Sequence, residues 1–279
     1  MPGEAERPPG ESWASLLGDA DALHARGLFV AEGRRVIQEI LDGAAGGPEA
    51  IVAALATPAA VEALDLAQRL AGRLDVRSPA DMQVLTGFNF HRGALALVRR
   101  PPPPSVGSLI GWSDTPQVRS HPPLYVVCEQ IADADNVGSL FRNARAFGAA
   151  AVLLDDKSAD PLYRKAVRTS LGAVLRVPWA REPLPAILGE LARRGVVTLG
   201  LTPDPAAPTL AEALDGPQAG PGRLAPMALL VGNEGAGLSV AARAACDGLA
   251  RIPMSPGADS LNVATALAVA LYECRRLRT

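Results

Sequence analysis

Lysine is nearly missing from this chain. Lys157 and Lys165 are the only two in 279 residues, so arginine supplies the other 25 of 27 basic residues. Arginine suits phosphates and base faces, but 29 acidic residues bring the formal charge to −2. Bulk charge therefore neither demands nor excludes a nucleic-acid partner. Cysteine is scarce: Cys128, Cys246 and Cys274 are odd in number and widely separated, which suits a reducing cytoplasm and gives no metal-ligand spacing. No apolar run is long enough to span a bilayer. The opening MPGEAERPPGE is acidic and proline-rich, unlike a signal or transit peptide, and residues 1–12 are expected to lack fixed structure. A cytoplasmic protein with neither membrane nor metal is expected. No histidine follows His121, so the second half lacks the most common general base. The glycine loops lack both the Lys-Ser/Thr ending of a P-loop and the G-x-G-x-x-G of a dinucleotide fold, which argues against a nucleotide-binding oxidoreductase.

What is present is enough for two ordinary domains, with 48% hydrophobic residues to build their cores. Residues 99–123, RRPPPPSVGSLIGWSDTPQVRSHPP, read as a semi-rigid linker. Before it, the pattern predicts a small α/β module: a helix over 29–43, a buried strand or strand–helix junction at 50–56, a helix over 58–72 and a closing strand at 93–100. After it, apolar strands at 124–131, 150–156, 195–202, 227–232 and 249–254 alternate with helices at 137–147, 160–172, 184–194, 239–246 and 260–277. Such alternation predicts a parallel sheet covered on both faces. Ligands bind such sheets beyond the strands' carboxyl ends. The polar and glycine-rich stretches at 132–138, 202–205, 232–238 and 254–260 are thus the candidate site.

Three stretches could carry chemistry. In DADNVGSLFRNARAFG (133–148), Asn136 fits a helix N-cap, Gly138 permits close approach, and Ala144 and Ala146 leave room for tight packing. Arg142 alone would be an ordinary solvated arginine. In LLVGNEGAGLS (229–239), Glu234 inside a glycine loop would repel a phosphate. The loop should prefer a neutral or cationic ligand, or hold Glu234 against an arginine; a plain tight turn is the other reading. In IPMSPGADSLNVATALAVALYE (252–273), Ser260 is a natural cap for a helix whose apolar stripe runs through Leu261, Ala264, Leu267, Ala268 and Leu271. Asn262, a poor helix former in a first turn, reads as a ligand contact.

In their order and their shared place at strand ends, these stretches resemble the three motifs of the SpoU–TrmH branch of the SPOUT methyltransferases. Asn136, Gly138, Arg142 and Ala144 match N-x-G-x-x-x-R-x-A. Leu230, Val231, Gly232, Glu234, Gly237, Leu238 and Ser239 match the second motif. Ile252, Pro253, Met254, Ser260, Leu261, Asn262, Val263, Tyr272 and Glu273 match the third. DADN departs from the expected Asp-Pro before the asparagine. The resemblance implies a C-terminal SPOUT α/β domain (123–279) with a deep trefoil knot, a linker (101–122) and a small α/β RNA-binding domain (13–100). It implies a homodimer, S-adenosyl-L-methionine as cofactor, and methyl transfer to a ribose 2′-hydroxyl of RNA, ribosomal rather than transfer RNA. Arg142, Asn136, Glu234, Ser260 and Asn262 would be catalytic. Leu201, Thr202, Gly232, Ile252, Met254 and Leu261 would surround the cofactor, and Arg34, Arg35, His91 and Arg92 would touch RNA. A guanidinium is normally always protonated, so Arg142 would stabilise the developing alkoxide. The proton would leave through a phosphate, water, Glu234 or a perturbed Arg142. A non-catalytic RNA-binding or ribosome-assembly factor keeping the fold, and a methyltransferase acting on a base nitrogen, are the competing readings.

Overall fold

The computed structural model describes residues 17, 19–86, 93–111, 122–215 and 225–278. From the N-terminus the elements are α1 (Ala20–Ala25), β1 (Leu28–Glu32), α2 (Arg34–Leu41), β2 (Ile51–Ala56), α3 (Pro58–Leu64), α4 (Leu66–Arg69), β3 (Leu74–Val76), α5 (Pro79–Thr86) and β4 (Ala94–Arg99). Then come α6 (Val106–Leu109), β5 (Leu124–Cys128), α7 (Ala134–Ala146), β6 (Ala151–Leu154), α8 (Arg164–Thr169), β7 (Trp179–Arg181), α9 (Leu184–Arg193) and β8 (Val197–Leu201). The last are α10 (Leu210–Asp215), β9 (Met227–Val231), α11 (Val240–Ala245), β10 (Gly248–Ala250) and α12 (Val263–Arg278). Contacts group them into two compact units, one of residues up to Pro102 plus Pro161–Arg176, the other of Pro103–Asp160 plus Val177 onward.

The first unit is a mixed four-stranded sheet, order β1-β4-β2-β3, with β4 antiparallel to both neighbours and β2 parallel to β3. Leu23, Val30, Leu55, Met82, Leu95 and Leu97 form its core. The expected helix over 29–43 is half strand. Residues 28–32 register with β4, and Gly33 at φ 97 breaks the chain before α2 begins. The expected helix over 58–72 is likewise cut in two, by Asp65 at φ 51. Residues 161–176, expected within the second domain, pack with the first unit instead. The helix expected over 160–172 is only α8, because Leu171 and Gly172 turn left-handed after it.

The second unit is a six-stranded, wholly parallel sheet, order β10-β8-β9-β5-β6-β7. Every residue of β5, β6 and β9 is buried, as expected where helices cover both faces. From β5 the chain steps outward through β6 and β7, then returns to build β8, β9 and β10 on the other side, so β5 and β9 flank the reversal of order. Ligand crevices form at such reversals. Part of the expected linker belongs to this unit. Val106 and Ile110 sit in its core, the Val106 amide donates to Glu182 at 2.9 Å, and Arg194 donates to the carbonyls of Gly107 and Ile110. Among the described residues no helix is long and apolar enough to cross a membrane.

Candidate active site

The loop after β9 closes on itself more tightly than a side chain permits. A methyl group built on Gly232 would lie 2.5 Å from both the Gly237 carbonyl oxygen and the Leu238 nitrogen, all backbone atoms. Asn233 organises the turn. Its side-chain oxygen accepts from the amides of Gly235 and Ala236 at 2.9 and 3.0 Å, an Asx turn. Its side-chain nitrogen donates to the Gln130 carbonyl at 2.9 Å. The buried Glu129 carboxylate accepts from the Ser239 amide at 2.9 Å, where Ser239 caps α11. The neighbouring loop is fixed from beneath, since Asp155, itself buried, accepts from the Gln130 amide and from both the amide and hydroxyl of Ser158.

Among the described residues Glu234 is held by amides and not by an arginine. Its carboxylate accepts from the amides of Ala132 and Asp133, both at 3.3 Å, and from the Asn136 side-chain nitrogen at 2.9 Å. The Asn136 side-chain oxygen accepts from the Asn262 side-chain nitrogen at 2.9 Å. The Asn262 oxygen in turn accepts from the amides of Ala264 and Thr265 at 2.9 and 3.3 Å. One directional chain therefore runs from the start of α12 through two asparagines to Glu234, which also receives backbone donors ahead of α7. Burial raises the proton affinity of Glu234. The Asn136 amide and the backbone N–H groups of Glu234, Ala132 and Asp133 together outweigh it and hold the carboxyl below the usual range.

Two capping assignments change accordingly. Asp133, not Asn136, caps α7, accepting from the Asp135 amide at 2.9 Å. Asn262, not Ser260, caps α12, which begins at Val263. Asn262 therefore lies outside the helix, and its poor helix propensity is no obstacle. The buried stripe of α12 runs through Ala264, Leu267, Ala270, Leu271 and Cys274, while Leu261 is exposed and Ala268 half-buried. Ala144 is buried as expected for close packing, but Ala146 faces solvent.

A cavity of about 580 Å³ opens at the carboxyl ends of β8, β9 and β10, within the size range of small-molecule sites. Leu201, Thr202, Gly232, Ile252, Met254 and Leu261 all line it, as do Asn136, Glu234, Ser260 and Asn262. Arg142 does not. It is exposed on α7, six residues and about 9 Å of helix beyond Asn136, and among the described residues has no hydrogen-bond or ion-pair partner. Arg34 and Arg35 are exposed at the start of α2, while His91 and Arg92 lie outside the described residues. The sequence reading also missed Asp204 and Arg243, which meet at 2.9 Å on the cavity wall. The Ala206 amide and then Arg243 hold Asp204 below its ordinary range. Only Asn233 had a local signal, an asparagine opening a glycine turn.

Residues 123–272, which supply every wall of this cavity, match the SpoU rRNA Methylase family. The chain belongs to that family. SpoU-family resemblance extends along nearly the whole chain. A Mycobacterium bovis protein named an uncharacterized tRNA/rRNA methyltransferase is 39% identical over 267 residues, covering 92% of this chain and 83% of the relative. The crystal structure of the SpoU methyltransferase AviRb from Streptomyces viridochromogenes superposes with a TM-score of 0.76 at 26% identity, over 95% of each chain. The same protein in complex with AdoMet gives 0.75. A structure described as an RNA 2′-O ribose methyltransferase gives 0.74 at 26% identity, again over 95% of both chains. The parallel sheet is thus the SpoU methyltransferase fold, and the family's reaction class is methyl transfer to RNA.

Proposed function

We propose that this protein methylates a ribose 2′-hydroxyl of structured RNA, ribosomal in preference to transfer RNA, with S-adenosyl-L-methionine as methyl donor. The cavity built from all four strand-end loops carries this reading, and its chemistry fits the donor. Leu201, Ile252, Met254 and Leu261 offer apolar wall, and Thr202, Asn136 and Asn262 offer hydrogen-bonding groups. Gly232 keeps side-chain bulk out of the turn. The relative described as a 2′-O ribose methyltransferase supports the ribose hydroxyl as acceptor. When bound, the donor supplies an electrophilic methyl on a sulfonium.

This chain's residues would do the rest. The hydroxyl oxygen must reach the methyl in line and shed its proton. Glu234 is ill suited to take it, since a carboxyl held below its usual range is a weak base at neutral pH. Its work is to hold Asn136 and, through it, Asn262 at the cavity mouth. Ser260 and these two amides orient the ribose. Arg142 would stabilise the alkoxide as its charge develops and grip an adjacent phosphate bidentately. Since Arg142 stands away from its own cavity wall, the same reading has two copies of the chain associate, each lending Arg142 to the other's cavity. It also gives the C-terminal part the trefoil knot of these enzymes, makes the first unit the RNA-binding part and has the enzyme work in the cytoplasm.

Radiolabelled methyl transfer to separated ribosomal and transfer RNA, followed by nucleoside analysis, tests the reading. Wild type is expected to yield a 2′-O-methyl nucleoside from ribosomal RNA. Arg142→Ala should lose on the order of a hundredfold or more in rate, the scale set by removing one transition-state donor. Arg142→Lys should lose most of it too, because an ammonium cannot reproduce the fork. Full activity in Arg142→Lys would overturn the fork geometry, and a methylated base would overturn the ribose acceptor. Donor binding without transfer to either RNA would point to a missing partner or a pre-ribosomal substrate, and no donor binding either would favour the non-catalytic assembly-factor reading.

A further inference from the structure

The peptide joining Gln130 to Ile131 is gripped from both sides. Its carbonyl accepts from the Asn233 side-chain nitrogen at 2.9 Å, and its N–H donates to the Ser158 hydroxyl oxygen at 3.0 Å. That hydroxyl donates onward to the Asp155 carboxylate at 2.6 Å. The polarity is forced at both ends. The Asn233 oxygen is taken by the amides of Gly235 and Ala236, so its nitrogen must donate, and a carboxylate can only accept. A second one-way chain therefore runs from the glycine turn after β9, across the loop after β5, to a carboxylate after β6.

The far end of this chain is buried. Asp155 is 2% and Ser158 1% exposed, and neither lines the cavity. Asp155 also accepts from the amides of Gln130 and Ser158 at 3.0 and 2.8 Å. Arg181, at the end of β7, holds their loop by donating to the carbonyls of Asp155, Asp156 and Ser158. The Ala159 amide completes the lacing on the Ile131 carbonyl at 2.8 Å.

What the lacing holds is a strained residue. Gln130 has a φ of 52, in the left-handed region that is costly for any residue with a side chain. Such backbone persists where its surroundings over-determine it, and it clusters at ligand clamps. Here it sends the Gln130 amide towards the β6 side and its carbonyl towards the β9 side, the two neighbours of β5. Were Gln130 to relax, its carbonyl would turn away from Asn233. That asparagine shapes the turn at Gly235 and Ala236, which form part of the cavity wall.

We propose that Asp155 and Ser158 are positioning residues for the donor-binding turn, acting through the Gln130–Ile131 peptide and Asn233. Buried polar groups two strands from β9 thus set the shape of the loop that follows it. The inference rests on the reading of this cavity as the S-adenosyl-L-methionine site.

Calorimetric titration of S-adenosyl-L-methionine into the full chain, paired with thermal melts, is the test. Ser158→Ala strands the Ile131 amide and is expected to weaken donor binding roughly tenfold. Thr198→Val is the control for general destabilisation. It deletes another buried hydroxyl, bonded to Asp247 near the amino end of β8, and should lower the melting temperature without moving donor affinity. Asp155→Asn keeps an accepting oxygen and should retain affinity that Asp155→Ala loses. In an Asn233→Ala background, Ser158→Ala should cost less than about twofold more, since residues of one network are not additive. Losses that simply multiply in the double variant, or a Thr198→Val loss equal to that of Ser158→Ala, would overturn the positioning role. Binding by Ser158→Ala within twofold of wild type, while Gly232→Ala loses the donor, would overturn it too and leave the donor site standing. If neither of those two variants moves the affinity, the cavity reading fails and the inference with it.

Discussion

Gly232→Ala is expected to weaken S-adenosyl-L-methionine binding by on the order of a hundredfold, while Gly235→Ala, in the same loop, changes it less than about twofold. A methyl group at 232 meets the Gly237 carbonyl and the Leu238 amide at 2.5 Å, and backbone cannot swing aside as a side chain would. The loop must open. Overpacking typically costs about 1–3 kcal/mol, and an unyielding backbone neighbour puts this case at the upper end, near two decades in Kd. At 235 the same methyl would find only the Asn233 side-chain oxygen, at 3.6 Å, an ordinary contact. Gly237 makes a third kind of demand, since its surroundings are open but its φ is +69. Alanine there costs backbone strain of about 1–2 kcal/mol without a clash. Calorimetric titration of the three variants, with thermal melts to show that the sheet survives, separates the cases. Binding by Gly232→Ala within twofold of wild type would mean that the closed turn is not the binding form of the loop.

Those glycines show how much the sequence could say. Continuous apolar strands separated by helical periods are dictated by burial on both faces, so the parallel sheet of the second unit and its strand-end loops were readable. The order of three short motifs singled out those loops. What was not readable depends on partners distant in sequence. Asp133, Asn136, Ser260 and Asn262 can all cap a helix, and local propensity does not choose among them. Here Glu234, 98 residues from Asn136, draws that amide away from capping and leaves α7 to Asp133. Helical spacing over 29–43 likewise could not reveal that residues 28–32 pair with β4 or that Gly33 adopts a φ closed to a helix. Nor does periodicity say which unit a segment joins. The attachment of 161–176 is decided by Arg164 on Glu32, Arg176 on Glu39 and two left-handed residues, none of which leaves a repeating trace in the sequence.

Glu234→Gln, nearly isosteric, is expected to lower kcat/KM by roughly five- to thirtyfold. The hydrogen-bond chain has a fixed polarity. Amides at the start of α12 require the oxygen of Asn262, so its nitrogen must donate to Asn136, whose nitrogen must donate to residue 234. From the other side the amides of Ala132 and Asp133 also donate there. Position 234 must therefore accept from every direction, which a carboxylate does and an amide cannot. A glutamine would set donor against donor, or force both asparagines to flip and uncap α12. An unsatisfied polar group costs about 1–3 kcal/mol, and solvent exposure of Glu234 argues for the lower half of that range. Acid should mimic the variant. Because the folded-state carboxyl titrates below its unfolded value of about 4.3, its ionised form favours the fold at all pH values above that. The contribution is lost only as pH falls through the depressed value. Between pH 6 and 9 Glu234 stays ionised and leaves no titration in the rate profile. Measuring kcat/KM against pH for wild type and Glu234→Gln decides the role. A basic limb in that window that vanishes in the variant would make Glu234 the proton acceptor after all. Parallel profiles, offset by a constant factor, are what a residue that only positions Asn136 and Asn262 must give.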